Sequence, residues 1–272
     1  MHHQVSVIEA RYIIDTLRKH CHTDLGFYSM GHLRCLLSGF IAEKRMKYPD
    51  ILVQRLMDYP DLMDELLYVL DQPASEMFRD PEIWCALRRQ IVPALKEKWG
   101  SIRAWLPCCS SGEDLFSLHI VLYETGMLIH TTTHAETFSS LRLKQARLGR
   151  VSSRMVQQSR TNYHQACPAA DFDRYVHHAE THWTIEGFLV NSAAFSSGDA
   201  IPPVPKEKTN LILFRNKLLY MHPNAARDML KVLCESLKPG GFLVLGYLDL
   251  VPDSGSCRLQ PVSEIPGAYE RI

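Results

Sequence analysis

The sequence predicts an α/β protein with a mostly parallel sheet, preceded by a small all-helical segment. Two observations predict this fold: apolar residues recur at helical spacing in residues 1–72, and strand-like and helix-like segments alternate in residues 73–272. Strands that alternate with helices form parallel sheets, because each connection must cross a face of the sheet. We therefore expect two domains, a helical one at residues 1–72 and an α/β one at residues 73–272.

The helical periodicity of the first domain lies in four stretches, at residues 8–17, 32–42, 53–57 and 62–70. Proline–acid pairs, Pro49-Asp50 and Pro60-Asp61, separate the later stretches. Proline fits the first turn of a helix, so each pair indicates a new helix start.

In the second domain, Asp80-Pro81-Glu82 predicts a helix start, with Asp80 as the cap, leading into residues 83–99. The later pattern predicts strands at 102–106, 210–214 and 242–246, a helix at 224–237, a turn at 239–241 and a loop at 196–208. Open α/β sheets bind ligands at the carboxyl ends of their strands. The first such end is followed by residues 107–114, a turn of small residues into a helix. Taken alone, this segment is equally typical of a plain turn, with Ser111 and Asp114 as a capping pair.

Composition narrows the classes of function. Lys+Arg and Asp+Glu number 30 each, so no overall charge favours nucleic acid or an anionic membrane. Apolar runs are much shorter than the roughly 20 residues of a membrane span, and the first residues lack the pattern of a secretory signal. The 8 cysteines are scattered, which is typical of free thiols in a reducing compartment. We predict a cytoplasmic protein with no nucleic-acid partner, no membrane insertion and no metal site.

Three segments resemble signatures of the chemotaxis-receptor (CheR-type) glutamate methyltransferases. They are SEMFRDP at 75–81, WLPCCSSGED at 105–114 and FRNKLLY at 214–220, and they match in order and spacing. Residues 155–163 and 237–241 extend the resemblance. It implies a class I S-adenosylmethionine methyltransferase domain, with a Rossmann-like sheet, behind a small helical domain. It also implies methyl transfer from S-adenosylmethionine to a glutamate of a partner protein, with S-adenosylhomocysteine as product.

The resemblance also implies roles for individual residues. It places Ser75 and Arg79 beside the methionine end of the cofactor, Glu113 in contact with the cofactor, Asn191 and Asn216 along the site, and Tyr220 near the transferred methyl group. Cys108, Gly112, Thr137 and Arg215 complete the expected cofactor-binding set, and Arg79 and Tyr220 are the catalytic candidates. S-adenosylhomocysteine is expected in a cleft bounded by residues 75–79, 108–113 and 215–216.

Some of these residues also have plain structural interpretations. Arg79 is able to pair with the adjacent Asp80, Tyr220 to act as a core aromatic, and Asn216 to form a turn. The proposed reaction itself asks little of side chains. A glutamate with an ordinary pKa of about 4.3 is already an anionic nucleophile near pH 7, so neither a general base nor a metal is required.

The chain departs from the family pattern at several positions. Cys108 replaces a glycine, and Thr137 replaces the acid that binds the ribose; the neighbouring Glu136 should face the other side of its strand. Restoring an acid at 137 and a glycine at 108 is expected to tighten cofactor binding. Residues 247–249 replace a polar run, and a helix that is basic in the family keeps only Arg34.

Two functions therefore remain open. One is an active methyltransferase whose protein substrate is a chemoreceptor or another signalling protein. The other is a catalytically silent regulatory or interaction module with weak or no cofactor binding.

Overall fold

The computed structural model describes residues 4–20, 23–71, 76–168, 171–180, 182–199, 201–249, 251, 258–262, 265 and 267–272. The N-terminal segment folds into helices, as its periodicity predicts. They are α1 (Val7–His20), α2 (Met30–Glu43), α3 (Pro49–Asp58) and α4 (Pro60–Leu70). Their buried faces share one hydrophobic cluster, which includes Leu33, Leu37 and Leu66. The prolines that open α3 and α4 confirm the predicted helix starts.

The next helix runs from Pro81 to Trp99 in three parts. These are α5 (Pro81–Ala86), a π-helical turn (Leu87–Ile91) and α6 (Val92–Trp99). Pro93 cannot donate a backbone hydrogen bond, which suits the wider turn before it. Asp80 does not cap this helix: it is left-handed (φ 56°), makes no side-chain cap bond, and pairs with Arg215 instead. The helix start was therefore predicted correctly and its cap wrongly.

In the described part of the chain, the central sheet contains seven strands, six running in one direction and one in the other. They are β1 (Ile102–Leu106), β2 (Thr131–Thr137), β6 (Ala193–Ser197), β7 (Thr209–Leu213), β8 (Leu237–Val244), β9 (Leu259–Pro261) and β10 (Ala268–Arg271). Their order is β6-β2-β1-β7-β8-β10-β9, and β10 is antiparallel to both of its neighbours, β8 and β9. This arrangement confirms the predicted α/β fold and places the carboxyl ends of β1, β2, β6 and β7 side by side.

Helices and a small antiparallel sheet surround these strands. The helices are α7 (Glu113–Glu124), α8 (Ser140–Leu148), α9 (Ser153–Ala166), α10 (Gly187–Val190) and α11 (Pro223–Ser236), with short 3₁₀ turns at Leu128–His130, Phe172–Tyr175 and Leu218–Tyr220. The small sheet has the order β3-β5-β4 and consists of β3 (Arg150–Val151), β4 (Val176–His178) and β5 (Trp183–Ile185). The predicted turn at 239–241 instead lies inside β8, where a register shift interrupts its pairing with β7.

The N-terminal helices contact the carboxyl edge of the sheet through two short segments. The backbone N–H of Ser29 donates to the Tyr220 carbonyl at 2.8 Å, and that of His222 donates to the Phe27 carbonyl at 2.8 Å. The Tyr28 hydroxyl donates to the carbonyl of Leu70 at 2.6 Å and fixes the end of α4. Residues from the first 71 positions are thereby brought to the same edge as the strand ends.

Within the described residues, no helix has the length and apolar character needed to cross a membrane. The same part of the chain contains no cluster of three metal-ligating side chains. Free thiols are found at Cys35, Cys85, Cys108, Cys109 and Cys167. Cys234 is disulfide-bonded, so the expectation of free thiols throughout is wrong at that position.

Candidate functional site

The turn between β1 and α7 brings several polar side chains to the strand ends. Ser110 and Gly112 have left-handed backbones, with φ of 48° and 102°. A Cβ on Gly112 would lie 2.7 Å from the Phe116 ring, so only glycine fits there. The predicted Ser111–Asp114 capping pair is not formed, because the Ser111 hydroxyl donates to Glu113 at 2.6 Å. The turn thus serves to position Glu113 rather than to cap the helix.

Glu113 is a buried carboxylate with one oxygen unsatisfied. Its side chain begins α7, and the residue is 2% exposed. Oε1 accepts the hydrogen bond from Ser111, whereas Oε2 has no partner in the described part of the chain. Burial raises the pKa of Glu113 to about 7, against the opposing effect of the Ser111 bond. A buried acceptor without a partner is costly and indicates a place for a ligand donor.

Arg215 fixes the backbone of Arg79. Its buried guanidinium donates to Asp114 at 2.6 Å, to Asp80 at 2.8 Å and to the Arg79 carbonyl at 2.6 Å. Because Asp80 is engaged by Arg215, the simple Arg79–Asp80 ion pair is not formed. The Arg79 guanidinium has no partner among the described residues and lines the same cleft as Glu113. Arg215 therefore positions Arg79. Within the described residues, the Nε of Arg215 has no hydrogen-bond partner.

Asn216 occupies a strained turn after β7. Its φ is 54°, and its backbone N–H donates to the Asp249 carboxylate at 2.5 Å. Asp249 also accepts from the backbone N–H groups of Gly246 at 2.9 Å and Leu219 at 3.2 Å. A Cβ on Gly246 would lie 2.1 Å from Asn216 Oδ1, so the two residues are packed as a unit. The departure at residues 247–249 thus supplies Asp249 as the organiser of this turn.

Asp71, which the sequence did not single out, lies where the loop after β1 and the end of β2 meet. It is 1% exposed and accepts hydrogen bonds from the hydroxyls of Ser110, at 2.5 Å, and Thr137. Lys217 Nζ lies 3.8 Å from Asp71 Oδ1 and 2.8 Å from Ser110 Oγ. Thr137, also buried, therefore has a carboxylate beside it, although it carries none itself.

Glu136 faces the other side of β2, as strand alternation predicts. Its carboxylate lies 3.1 Å from His134 Nε2, on the same face of the strand. In this register Glu136 and Thr137 lie on opposite faces of β2.

Tyr220 and Cys108 line the cleft from the remaining sides. The Tyr220 ring stacks on His32 of α2, with centroids 4.2 Å apart, and is half-buried against the hydrophobic cluster of the helical segment. Burial raises the pKa of the Cys108 thiol to about 12, so this side chain is neutral. These side chains and Arg79 and Glu113 line one cleft. A second cleft, lined by Asp71, Phe27 and other residues, shares Cys108, Lys217 and Tyr220 with it.

Asn191, an expected site residue, is not brought to this cleft. Asn191 precedes β6, which runs parallel to β2, so it lies at the amino end of that strand and is exposed. The residues that follow β6 at the carboxyl edge are Gly198 and Asp199, which line a larger cleft of about 1050 Å³. Recognising residues 193–197 as a strand would have identified them. Ser75 lies outside the described residues.

Comparison with known proteins identifies the family. Residues 74–263 match the family model for the "CheR methyltransferase, SAM binding domain". A Pseudomonas putida protein named "Putative methyltransferase Cher3" is 30% identical over 256 residues, covering 94% of this chain and 93% of that protein. A Listeria monocytogenes "Chemotaxis protein methyltransferase" is 25% identical over 237 residues, covering 86% and 87%.

Solved structures give a weaker likeness. A SAM-dependent methyltransferase from Geobacter sulfurreducens, in complex with S-adenosyl-L-homocysteine, has a TM-score of 0.39 and 16% identity, covering 70% of this chain and 58% of that chain. The family model and the sequence relatives agree with the three signatures, which lie in this structure around one cleft. The chain belongs to the CheR methyltransferase family, with S-adenosylmethionine as its cofactor.

Proposed function

We propose that this protein is a protein-glutamate O-methyltransferase that acts on a glutamate carboxylate of a signalling protein. The observation that carries the proposal is the buried Oε2 of Glu113, which has no partner among the described residues. It lines the same cleft as the Arg79 guanidinium, for which the described residues likewise provide no partner. A free acceptor and a free cation in one cleft fit a ligand or ligand pair that offers an ammonium and a carboxylate.

These residues fit the family cofactor. The ammonium of S-adenosylmethionine suits Glu113 Oε2, and its departure from water would be offset by that buried acceptor. When bound, the cofactor supplies an electrophilic methyl group. Gly112 allows the Phe116 ring to pack against the backbone at the start of α7, and Asn216 holds a turn at the cleft. The neutral thiol of Cys108 narrows the cleft without adding charge.

The remaining chemistry is positioning. Arg215 donates a hydrogen bond to the Arg79 carbonyl and so fixes the Arg79 backbone. The Arg79 guanidinium is then available to orient the acceptor carboxylate. Tyr220 borders the cleft, and its stacking on His32 restricts where the ring points. An acceptor glutamate is already ionised near pH 7, so the chain needs only to align it and exclude water.

We propose that the partner is a signalling protein whose binding does not require a basic helix on this protein. Arg34, the only charge kept in residues 33–38, donates from Nε to the Val5 carbonyl at 2.7 Å. That bond commits Arg34 to the fold of the helical segment. We propose residues 1–72 as the helical domain, residues 73–272 as the methyltransferase domain, and the cytoplasm as the compartment.

The test is transfer of a labelled methyl group to candidate signalling proteins, including receptor signalling fragments. A methyl ester of glutamate is cleaved by base and releases volatile methanol, which distinguishes it from methylated nitrogen. We expect base-labile label with the wild type, its loss in Arg79→Ala, and normal label in the control Arg89→Ala, since Arg89 is an exposed arginine of the next helix. Label that resists base would overturn the glutamate assignment.

A silent module is the second candidate, because the Asp71–Ser110–Lys217 cluster and Cys108 occupy space at the strand ends. Binding of S-adenosylhomocysteine with no transfer to any of the candidate proteins would favour it. Absence of binding at millimolar ligand would favour it more strongly.

A further inference from the structure

We propose that Asp71 supplies the carboxylate that receives the ribose hydroxyls of the cofactor, in place of the acid missing at Thr137. The proposal deepens the cofactor-binding function above and rests on it. It makes α4 of the N-terminal segment, and not only the sheet, a determinant of which nucleoside the site accepts.

The Asp71 carboxylate lies at the carboxyl end of β2. Asp71 directly follows α4, and the Thr137 hydroxyl at the end of β2 donates to its Oδ2. The carboxylate is thus in hydrogen-bond contact with the residue that replaces the family acid. The end of α4 is held there by Tyr28, which bonds the Leu70 carbonyl, and by Arg142, whose Nε donates to the Tyr68 carbonyl at 3.2 Å.

The Asp71 carboxylate has remaining hydrogen-bond capacity. A carboxylate has about four acceptor sites, and the hydroxyls of Ser110 and Thr137 account for two of them. The Lys217 ammonium, at 3.8 Å, offsets the charge from beyond hydrogen-bond distance. Asp71 therefore keeps room for hydroxyl donors from a ligand, and its burial makes such bonds strong.

Aromatic side chains line the same cleft as Asp71. Asp71 lines the second cleft together with the aromatic rings of Phe27 and Phe138, whose centroids are 6.2 Å apart. The same two rings also border the 1050 Å³ cleft. A buried acceptor beside aromatic surface suits a hydroxyl-bearing sugar attached to a planar base.

The test compares two ligands on three proteins by calorimetric titration. The ligands are S-adenosylhomocysteine and its analogue without the ribose hydroxyls. The proteins are the wild type, Asp71→Asn, and the control Asp61→Asn, which changes an exposed acid on the same helix. Asp71→Asn should weaken S-adenosylhomocysteine roughly 10- to 150-fold, the value of a charge-assisted bond. It should leave the analogue unchanged, and Asp61→Asn should change neither.

Several results would overturn the proposal. If Asp71→Asn binds S-adenosylhomocysteine as tightly as the wild type, or more tightly, Asp71 obstructs the site or is irrelevant to it, while cofactor binding stands. If Asp71→Asn weakens both ligands equally, its role is structural. Failure of the wild type to bind S-adenosylhomocysteine would overturn the proposed function as well.

A relocation experiment keeps the proposal testable should Asp71→Asn fold poorly, which its melting temperature would reveal. Thr137→Asp alone should not tighten binding, because it places a second carboxylate against Asp71 and the two repel. The double variant Asp71→Asn/Thr137→Asp should recover most of the wild-type affinity. Tightening by Thr137→Asp alone, or no recovery in the double variant, contradicts the assignment. The sequence alone led us to expect that an acid at position 137 would tighten cofactor binding. With Asp71 in place, we no longer expect that gain.

Discussion

The titration of Glu113 should control cofactor affinity. Its pKa is raised to about 7 by burial, and its Oε2 has no partner in the described part of the chain. If that oxygen receives the cofactor ammonium, the carboxyl must be ionised in the complex. Binding below pH 7 then requires the release of a proton, and affinity must fall as the pH is lowered.

The size of the effect follows from the ionised fraction. With a pKa of about 7, the carboxyl is about 90% ionised at pH 8 and about 3% ionised at pH 5.5. The apparent dissociation constant of S-adenosylhomocysteine should therefore rise roughly 30-fold between pH 8 and pH 5.5. Glu113→Gln, which resembles the protonated form, should bind weakly at both values and lose most of this slope.

The same group makes an opposite contribution to stability without ligand. The folded-state pKa lies above the ordinary value of 4.5, so the fold favours the protonated carboxyl. Its contribution is complete below pH 4.5 and is lost as the pH rises through about 7, a difference of about 3 kcal/mol. Glu113→Gln should therefore have a higher free energy of unfolding than the wild type at pH 8, and a similar one at pH 4.

The assay is calorimetric titration at several pH values, in buffers of different ionisation enthalpy, with denaturant unfolding of the free proteins. Glu97→Gln is the control, because Glu97 is exposed on α6. Two results would contradict the ionisation of Glu113 in the complex. One is the same pH dependence of S-adenosylhomocysteine affinity in the wild type and Glu113→Gln, and the other is binding at pH 5.5 without release of a proton.

Further variants test the other sides of the cleft. Arg79→Ala and Tyr220→Phe should lower kcat by more than they raise the dissociation constant of S-adenosylhomocysteine, since both groups act on the acceptor; equal losses would show that they hold the cofactor instead. Cys108→Gly should tighten cofactor binding by removing bulk from the cleft, with a stability cost of about 0.5–1 kcal/mol, and unchanged affinity would show that the side chain does not touch the ligand. Gly246→Ala should destabilise the fold by about 1–3 kcal/mol, measured by denaturant unfolding, because its Cβ would meet Asn216 Oδ1 at 2.1 Å; an unchanged midpoint would mean that the turn relaxes freely.

The sequence predicted the elements whose signals are local. β1 is a short, mostly apolar run, and α11 begins at Pro223, so pattern and turn chemistry were enough to place both. Family spacing likewise brought Arg79 and Glu113 to one cleft. The Pro239–Gly241 segment misled because proline and glycine signal a turn, whereas here they accompany an irregularity inside β8.

The sequence could not predict contacts between distant segments. Asp71 and Thr137 are 66 positions apart, and no pattern along the chain links them. Asp80 was expected to cap a helix because Asp-Pro does so locally, but Arg215, 135 positions away, engages its carboxylate. Asn191 was placed by the family resemblance, which did not reveal at which end of β6 it lies.

These long-range contacts bring residues of the helical segment to the clefts at the strand ends. Asp71 and Phe27 line one cleft at the strand ends, and His32 restrains Tyr220 at the neighbouring one. The backbone of residues 27–29 is hydrogen-bonded to residues 220–222, so the Tyr220 turn and the helical segment are held together. A ligand that contacts both Glu113 and Asp71 would bind only when the helical segment is docked, because one group comes from each part. If Asp71 receives the ribose hydroxyls as proposed, the site is assembled across both parts of the chain, and the departures at Cys108 and Thr137 do not indicate decay.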